Sequence, residues 1–205
     1  MFHSEMGQDR WLDEYVFRGM EGGVFFEAGA LDGVLDSNTL FFEEDRGWSG
    51  ILVEANPILG NHLLRVRPRC ICMNVALWDV SGEVEFQQVN SGLYGWSGVI
   101  ESFADEAKKR MSHLPEREKR VIKIPAITLN DALDKACIFH IDYMSLDLEG
   151  AEWTVLKGFN FQRYDVDVFG IEDNGDIEKI DALLKAKGYY HLARVGQDEF
   201  WRKER

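Results

Sequence analysis

Residues 24–57, VFFEAGALDGVLDSNTLFFEEDRGWSGILVEANP, hold two apolar runs that each end in a carboxylate beside a turn, and nothing else in the chain restricts its fold as tightly. Val24, Phe25 and Phe26 are continuously apolar, which suits a strand buried on both faces of a parallel sheet. Glu27 stands at the end of that strand. Gly29 and Gly33 follow in the turn, where glycine permits backbone conformations closed to other residues or a close approach to the main chain. Asp36 or Ser37 is placed to cap a helix running from near Asn38 to about Arg46, and Gly47 ends it. A second strand over residues 50–53 brings Glu54 to its carboxyl end, and Asn56 with Pro57 opens another helix. In open α/β sheets ligands bind just outside such strand ends, where strand order reverses, and an acid on the second strand can accept both hydroxyls of a ribose. Glu54 is that acid.

The glycine spacing narrows the ligand. The dinucleotide fingerprint is G-x-G-x-x-G, whereas Gly29 and Gly33 are spaced G-x-x-x-G with Glu27 two positions ahead. This disfavours a nicotinamide-dependent oxidoreductase. It is compatible with a nucleoside that has no pyrophosphate to cradle, such as S-adenosylmethionine.

Three blocks, FFEAGALDGVLDSNT, GILVEANP and the later DYMSLDLEGAEWTVLKGF, resemble the FkbM-type methyltransferase family in that family's order, over roughly residues 24–174. The first two also resemble the related Star-like domains. The resemblance implies a class I, Rossmann-like methyltransferase fold: a seven-stranded, mostly parallel sheet with helices on both faces. It also implies an S-adenosylmethionine-dependent O-methyltransferase whose acceptor is a sugar or another small hydroxylated metabolite. Carried onto this chain, the donor site would draw on Glu27, Ala28, Gly29, Asp32, Gly33 and Asn38 from the first block and Glu54, Ala55 and Asn56 from the second. In the resembled family a turn after the third strand lies against the adenine, which makes Ala76 and Leu77 candidates. The Star-like resemblance carries the alternative of a catalytically inactive module that keeps the fold for binding.

Composition sets outer limits. A chain of 205 residues with 45% hydrophobic content suits one soluble domain, 1–205. A formal charge of −13 argues against sequence-independent binding to nucleic acid or to an anionic membrane surface. Cys70, Cys72 and Cys137 are odd in number and lack C-x-x-C spacing, so neither a disulfide framework nor a zinc site is indicated. The first residues have no signal-peptide core and no run is long enough to span a bilayer, so the expectation is a cytoplasmic protein. Whether it forms a homo-oligomer is left open.

Along the chain, Trp11, Leu12, Tyr15 and Val16 fall at helical spacing within residues 7–18. Arg65, Arg67 and Arg69 form a basic cluster that reads as a solvated face. Residues 70–75 read as the third strand, and SGEVEFQQV as another. Residues 90–120 change character, first rich in Gly and aromatics and then in mixed charge. A long insertion on a compact sheet is commonly functional, and this one is placed to form an acceptor-side lid with Tyr94, Trp96 and Ser97 over the cleft. Thr128 caps a helix leading to a strand at residues 142–146, which ends at Asp147. A further apolar strand at 166–171 ends in Glu172, Asp173 and Asn174, and YYHLARV with EFWRK reads as a closing pair.

Methyl transfer to a hydroxyl is an in-line displacement, so the protein must align the reactants and help remove the hydroxyl proton. Asp147, Glu149 and Glu172 are the candidate catalytic acids, with Asp147 also at the donor. Asp147 or Glu149 could take the proton directly. Alternatively Asp147, Glu172 and Asp173 could hold Mg²⁺, which would lower the pKa of a bound hydroxyl.

Overall fold

Phe25 and Phe26 point to opposite faces of strand β1 (Val24–Ala28), and both are fully buried, so helices must cover the sheet on both sides. In the computed structural model, which describes residues 1–90 and 92–204, β1 lies inside a seven-stranded sheet. The other strands are β2 (Ser49–Val53), β3 (Ile71–Met73), β8 (His140–Leu146), β9 (Asp165–Glu172), β10 (Tyr189–Val195) and β11 (Asp198–Lys203). Their order is β10-β11-β9-β8-β1-β2-β3. All pairings are parallel except those made by β11 with β9 and β10. The chain steps outward through β1, β2 and β3 and then returns to place β8 on the other side of β1, so strand order reverses between β1 and β8.

One face of the sheet, with Phe26, Ile51, Val53 and Met144, packs against α5 (Leu129–Ala136), α6 (Glu152–Leu156) and α7 (Ile177–Ala186). The other, with Phe25, Leu52, Tyr143 and Phe200, packs against α2 (Leu40–Arg46), α3 (Pro57–Val66) and the N-terminal segment. That segment is α1 (Gln8–Trp11) running into a π-helical turn, Leu12–Phe17, that ends at Arg18 in the left-handed region with φ of 52°. The wider turn rotates the apolar stripe: Leu12 and Val16 are buried, while Tyr15 faces solvent.

A second, four-stranded sheet was not expected from the sequence. It is built from β4 (Ala76–Leu77), β5 (Gly82–Val89), β6 (Gly98–Val99) and β7 (Lys119–Ile127), in the order β4-β7-β5-β6. The long antiparallel pair of β5 with β7, from Gly82↔Ala126 to Val89↔Lys119, is its backbone. Helix α4 (Asp105–His113) turns Ala107 and Met111 inward onto Val89 and Phe103, so the 90–120 segment is a packed structure with its own small core. Among the described residues no helix is long and apolar enough to cross a membrane.

Candidate functional site

The register of the central strands aligns Ala28 with Val53 on one side and with Leu146 on the other, and Leu146 with Ile171. The next residues along the rim are therefore Gly29, Glu54, Asp147 and Glu172. Gly29 has φ of +85°, and a Cβ there would stand 2.0 Å from the Asp147 carbonyl oxygen, so only glycine lets β1 and β8 meet at this point.

Beside them opens a cleft of about 590 Å³, counted out to its mouth. Gly29, Leu31, Glu54 and Ala55 form one wall, Ala76, Leu77 and Phe86 another, and Asp147 and Glu149 the third. Tyr94, Gly95 and Ser97, with Gly98 and Val99 of β6 in the second sheet, line the rest of it. Trp96 faces away from it, under Arg110.

Glu54 is 5% exposed, and its two oxygens are held by the main chain. The Leu31 amide donates to Oε2 at 2.8 Å and the Asn56 amide to Oε1 at 2.6 Å. Burial pushes its carboxyl up to about 7 against the relief of those amides. An acid kept in this state stands ready for further donors from a ligand.

A narrower pocket adjoins this cleft through Gly29, Leu31 and Asp147, and Ser37, Asn38 and Ser145 border it as well. Asn38 Nδ2 donates to Ser145 Oγ at 3.1 Å, while Asn38 Oδ1 is shut off from solvent without any donor. Buried acceptors are nearly always satisfied, so this one marks a place for a ligand N–H.

Several sequence candidates have other duties. Glu27 shares the face of Phe25 by strand alternation and so points into the α2–α3 layer, where it accepts from Ser37 Oγ, the Asn38 amide and Thr39 Oγ1. Arg67, expected on a solvated face, is fully buried there: it pairs with Glu43, lies 3.9 Å from Glu27 and donates to the Gly33 carbonyl. Gly33 packs against Leu63 and Arg67. Asp32 closes its own turn by accepting from the Val34 and Leu35 amides. Ala28 is a core residue that reaches only the narrower pocket. Asn56 caps α3 by accepting from the Ile58 amide and also accepts from Gln88.

The acids at the ends of β8 and β9 converge, Asp147 with Glu172 as expected and Glu152, not named from the sequence, as the third. Carboxylate oxygens of Asp147, Glu152 and Glu172 lie within 4.8 Å of one another. Glu152 Oε1 already accepts from the Leu148 and Gly150 amides and from Asn174 Nδ2, which also donates to Glu172. Burial, the charge of Glu172 and a hydrogen bond with it hold the Asp147 carboxyl well above the usual range. Such a set shares protons internally. The oxygens of the three acids are spaced as the ligands of a divalent cation would be, with Glu152 in the place expected for Asp173. Asp173, the third expected metal ligand, is drawn away to Arg194 at 3.3 Å.

Glu149 stands where the cleft meets a second cavity, and it takes the left-handed conformation with φ of 53°. Its Oε2 accepts from Arg110 Nη2 at 2.7 Å. Burial raises its carboxyl to about 7, against the pull of Arg110.

The sheet and its rim are consistent with a methyltransferase fold. No curated protein matches the chain. Residues 27–190, most of its length and both strand-end acids included, match the methyltransferase FkbM domain. The chain belongs to the FkbM methyltransferase domain family.

Proposed function

We propose that the rim cleft binds S-adenosylmethionine and that the protein transfers its methyl group to a hydroxyl of a sugar or another small hydroxylated acceptor. The observation that carries this reading is Glu54: a buried carboxylate clamped by two backbone amides at the switch point of a parallel sheet. Glu54 would accept the ribose hydroxyls, and Ala55, Ala76, Leu77 and Phe86 would enclose the adenine. Asn38 Oδ1 would accept from the amino group of the methionine part, which supplies the donor that this buried atom lacks.

The bound donor would supply an electrophilic methyl on a sulfonium. Glu149 then serves as the base, because it faces the cleft and burial brings its carboxyl up to about 7, near the operating pH. It takes the acceptor's proton as the hydroxyl oxygen bonds to the methyl carbon. Asp147, sharing its proton with Glu172, borders the cleft and the narrower pocket and fixes the geometry of the β8 end. Tyr94 and Ser97, across the cleft, exclude water as the lid part of the 90–120 segment.

Calorimetry with S-adenosylhomocysteine, followed by labelled methyl transfer to a panel of hydroxylated metabolites, tests the proposal. Binding with turnover on one acceptor class is expected. Binding without turnover on any acceptor would favour an inactive binding module, and no binding would remove the donor site.

A further inference from the structure

The second cavity lies between α4 and the loop after β9, and encloses about 1330 Å³ counted out to its mouth. It meets the donor cleft at Glu149, which borders both. Lys109, Arg110 and His113 line its α4 wall. In a chain with a formal charge of −13, Lys109 and Arg110 set two cations on one wall of a cavity that Glu106, Glu149 and Asp173 also line. The opposing acid Asp173 is already neutralised by Arg194, and Glu106 lies exposed on α4 itself. Lys109 Nζ forms no ion pair among the described residues.

Arg110 is held for recognition and only partly used. Its guanidinium carbon lies 5.1 Å from the centre of the Trp96 ring, which fixes the plane of the group. Of its donors, Nη2 is taken by Glu149, while Nε is shut off from solvent without an acceptor among the described residues. A buried donor without an acceptor marks an arrangement that a ligand oxygen would complete, and a planar guanidinium is the group best matched to a carboxylate or phosphate.

Resting on the methyltransferase reading above, we infer that the α4 cavity holds an anionic group of the methyl acceptor, a carboxylate or a phosphate, with Arg110 as its anchor. The anion competes with Glu149 for the guanidinium. Its arrival releases the Glu149 carboxylate from its ion pair at the mouth of the donor cleft, where it can accept the hydroxyl proton. The base is then freed only when an acceptor is seated.

The test is an NMR titration of the full chain with inorganic phosphate and, separately, with acetate, in the wild type, R110Q and E149Q. Thermal melts verify folding, and S-adenosylhomocysteine calorimetry is run on each protein. At least one probe should bind the wild type, which tells phosphate from carboxylate. R110Q should weaken that probe at least tenfold. E149Q, which removes the internal competitor, should tighten it severalfold, and this arm stands even if R110Q folds poorly. Affinity for S-adenosylhomocysteine should stay within about twofold in R110Q. Absence of binding by either probe, unchanged binding in R110Q, or no tightening in E149Q would overturn the inference. Failure of S-adenosylhomocysteine to bind the wild type would instead remove the donor reading and leave the anion site standing by itself.

Discussion

Glu54→Gln separates what the rim acid does for the ligand from what it does for the fold. The wild-type carboxyl is raised from 4.5 to about 7 by burial, so at pH 8 the folded protein holds a charge disfavoured by about 3 kcal/mol relative to the unfolded chain. Glutamine removes that charge. It keeps one carbonyl oxygen for one of the two amides, at 2.8 and 2.6 Å in the wild type, and turns an NH₂ toward the other. The unmet amide costs about 1–3 kcal/mol. At pH 8 the two effects offset, and the variant should be between equally stable and about 2 kcal/mol more stable. At pH 5, where the wild-type carboxyl is neutral, only the amide loss remains and the variant should be about 1–3 kcal/mol less stable. Ligand binding should move one way only. Hydrogen bonds to a charged group contribute about 1.5–3 kcal/mol each, and losing that strength at a ribose diol corresponds to roughly a hundredfold weaker S-adenosylhomocysteine binding. Urea unfolding at both pH values and calorimetry at pH 8 measure all three quantities. A large stability loss at pH 8 with unchanged ligand affinity would mean that Glu54 is a loop clamp and that the reasoning is wrong.

Gly29→Ala should destabilise the protein by at least about 3 kcal/mol, because its Cβ would stand 2.0 Å from a backbone oxygen in a left-handed conformation; a urea midpoint within about 1 kcal/mol of wild type would contradict the packing at the β1–β8 junction. Arg67→Met leaves Glu43 and Glu27 buried beside an apolar side chain and should cost about 3–5 kcal/mol in thermal or urea unfolding. An R67M/E43L pair should recover part of that loss, and an additive double variant would refute the pairing. Stability as a whole should fall as pH rises from about 4.5 to 7, since Glu54, Glu149 and Glu152 keep their protons to about 7 in the fold and release them near 4.5 when unfolded. Carboxyls drawn down by partners, such as Asp181 hydrogen-bonded to Lys185, act below 3.8 and do not oppose the trend in this window. Equal urea midpoints at pH 5 and pH 8 would rule it out.

The central strands were legible because a continuous apolar run bounded by turns admits few alternatives, and Gly29, Glu54 and Asp147 were legible because they follow such runs directly. Glu27 keeps more company than its sequence position shows: one residue before the strand's end, alternation puts it on the face of Phe25, where its partners come from the α2 entry and from Arg67, while it also borders the narrower pocket. Arg67 itself carries no local sign of burial among Arg65 and Arg69; what buries it is Glu43, on another helix. Tyr15 was placed inward on an assumed period of 3.6, which the π-helical turn breaks. The second sheet depends on pairing residues 82–89 with 119–126, a contact no window along the chain can show. Glu152 carries no local sign of a place at the rim, which appears only when its carboxylate reaches back to the Leu148 amide. Asp173 looked equivalent to Glu172 until β10 supplied Arg194.

Strand β4 leaves the rim at Leu77, and β7 brings the chain back at Ile127, its direct partner in the register. An excursion whose two ends touch acts as a cassette: it can lengthen, shorten or be exchanged while its anchor points stay put. Since Ala76 and Leu77 also line the rim cleft, every such exchange would be built on the same floor. On the proposed function, this geometry would let one half of the molecule diversify its cargo while the other half conserves its reagent.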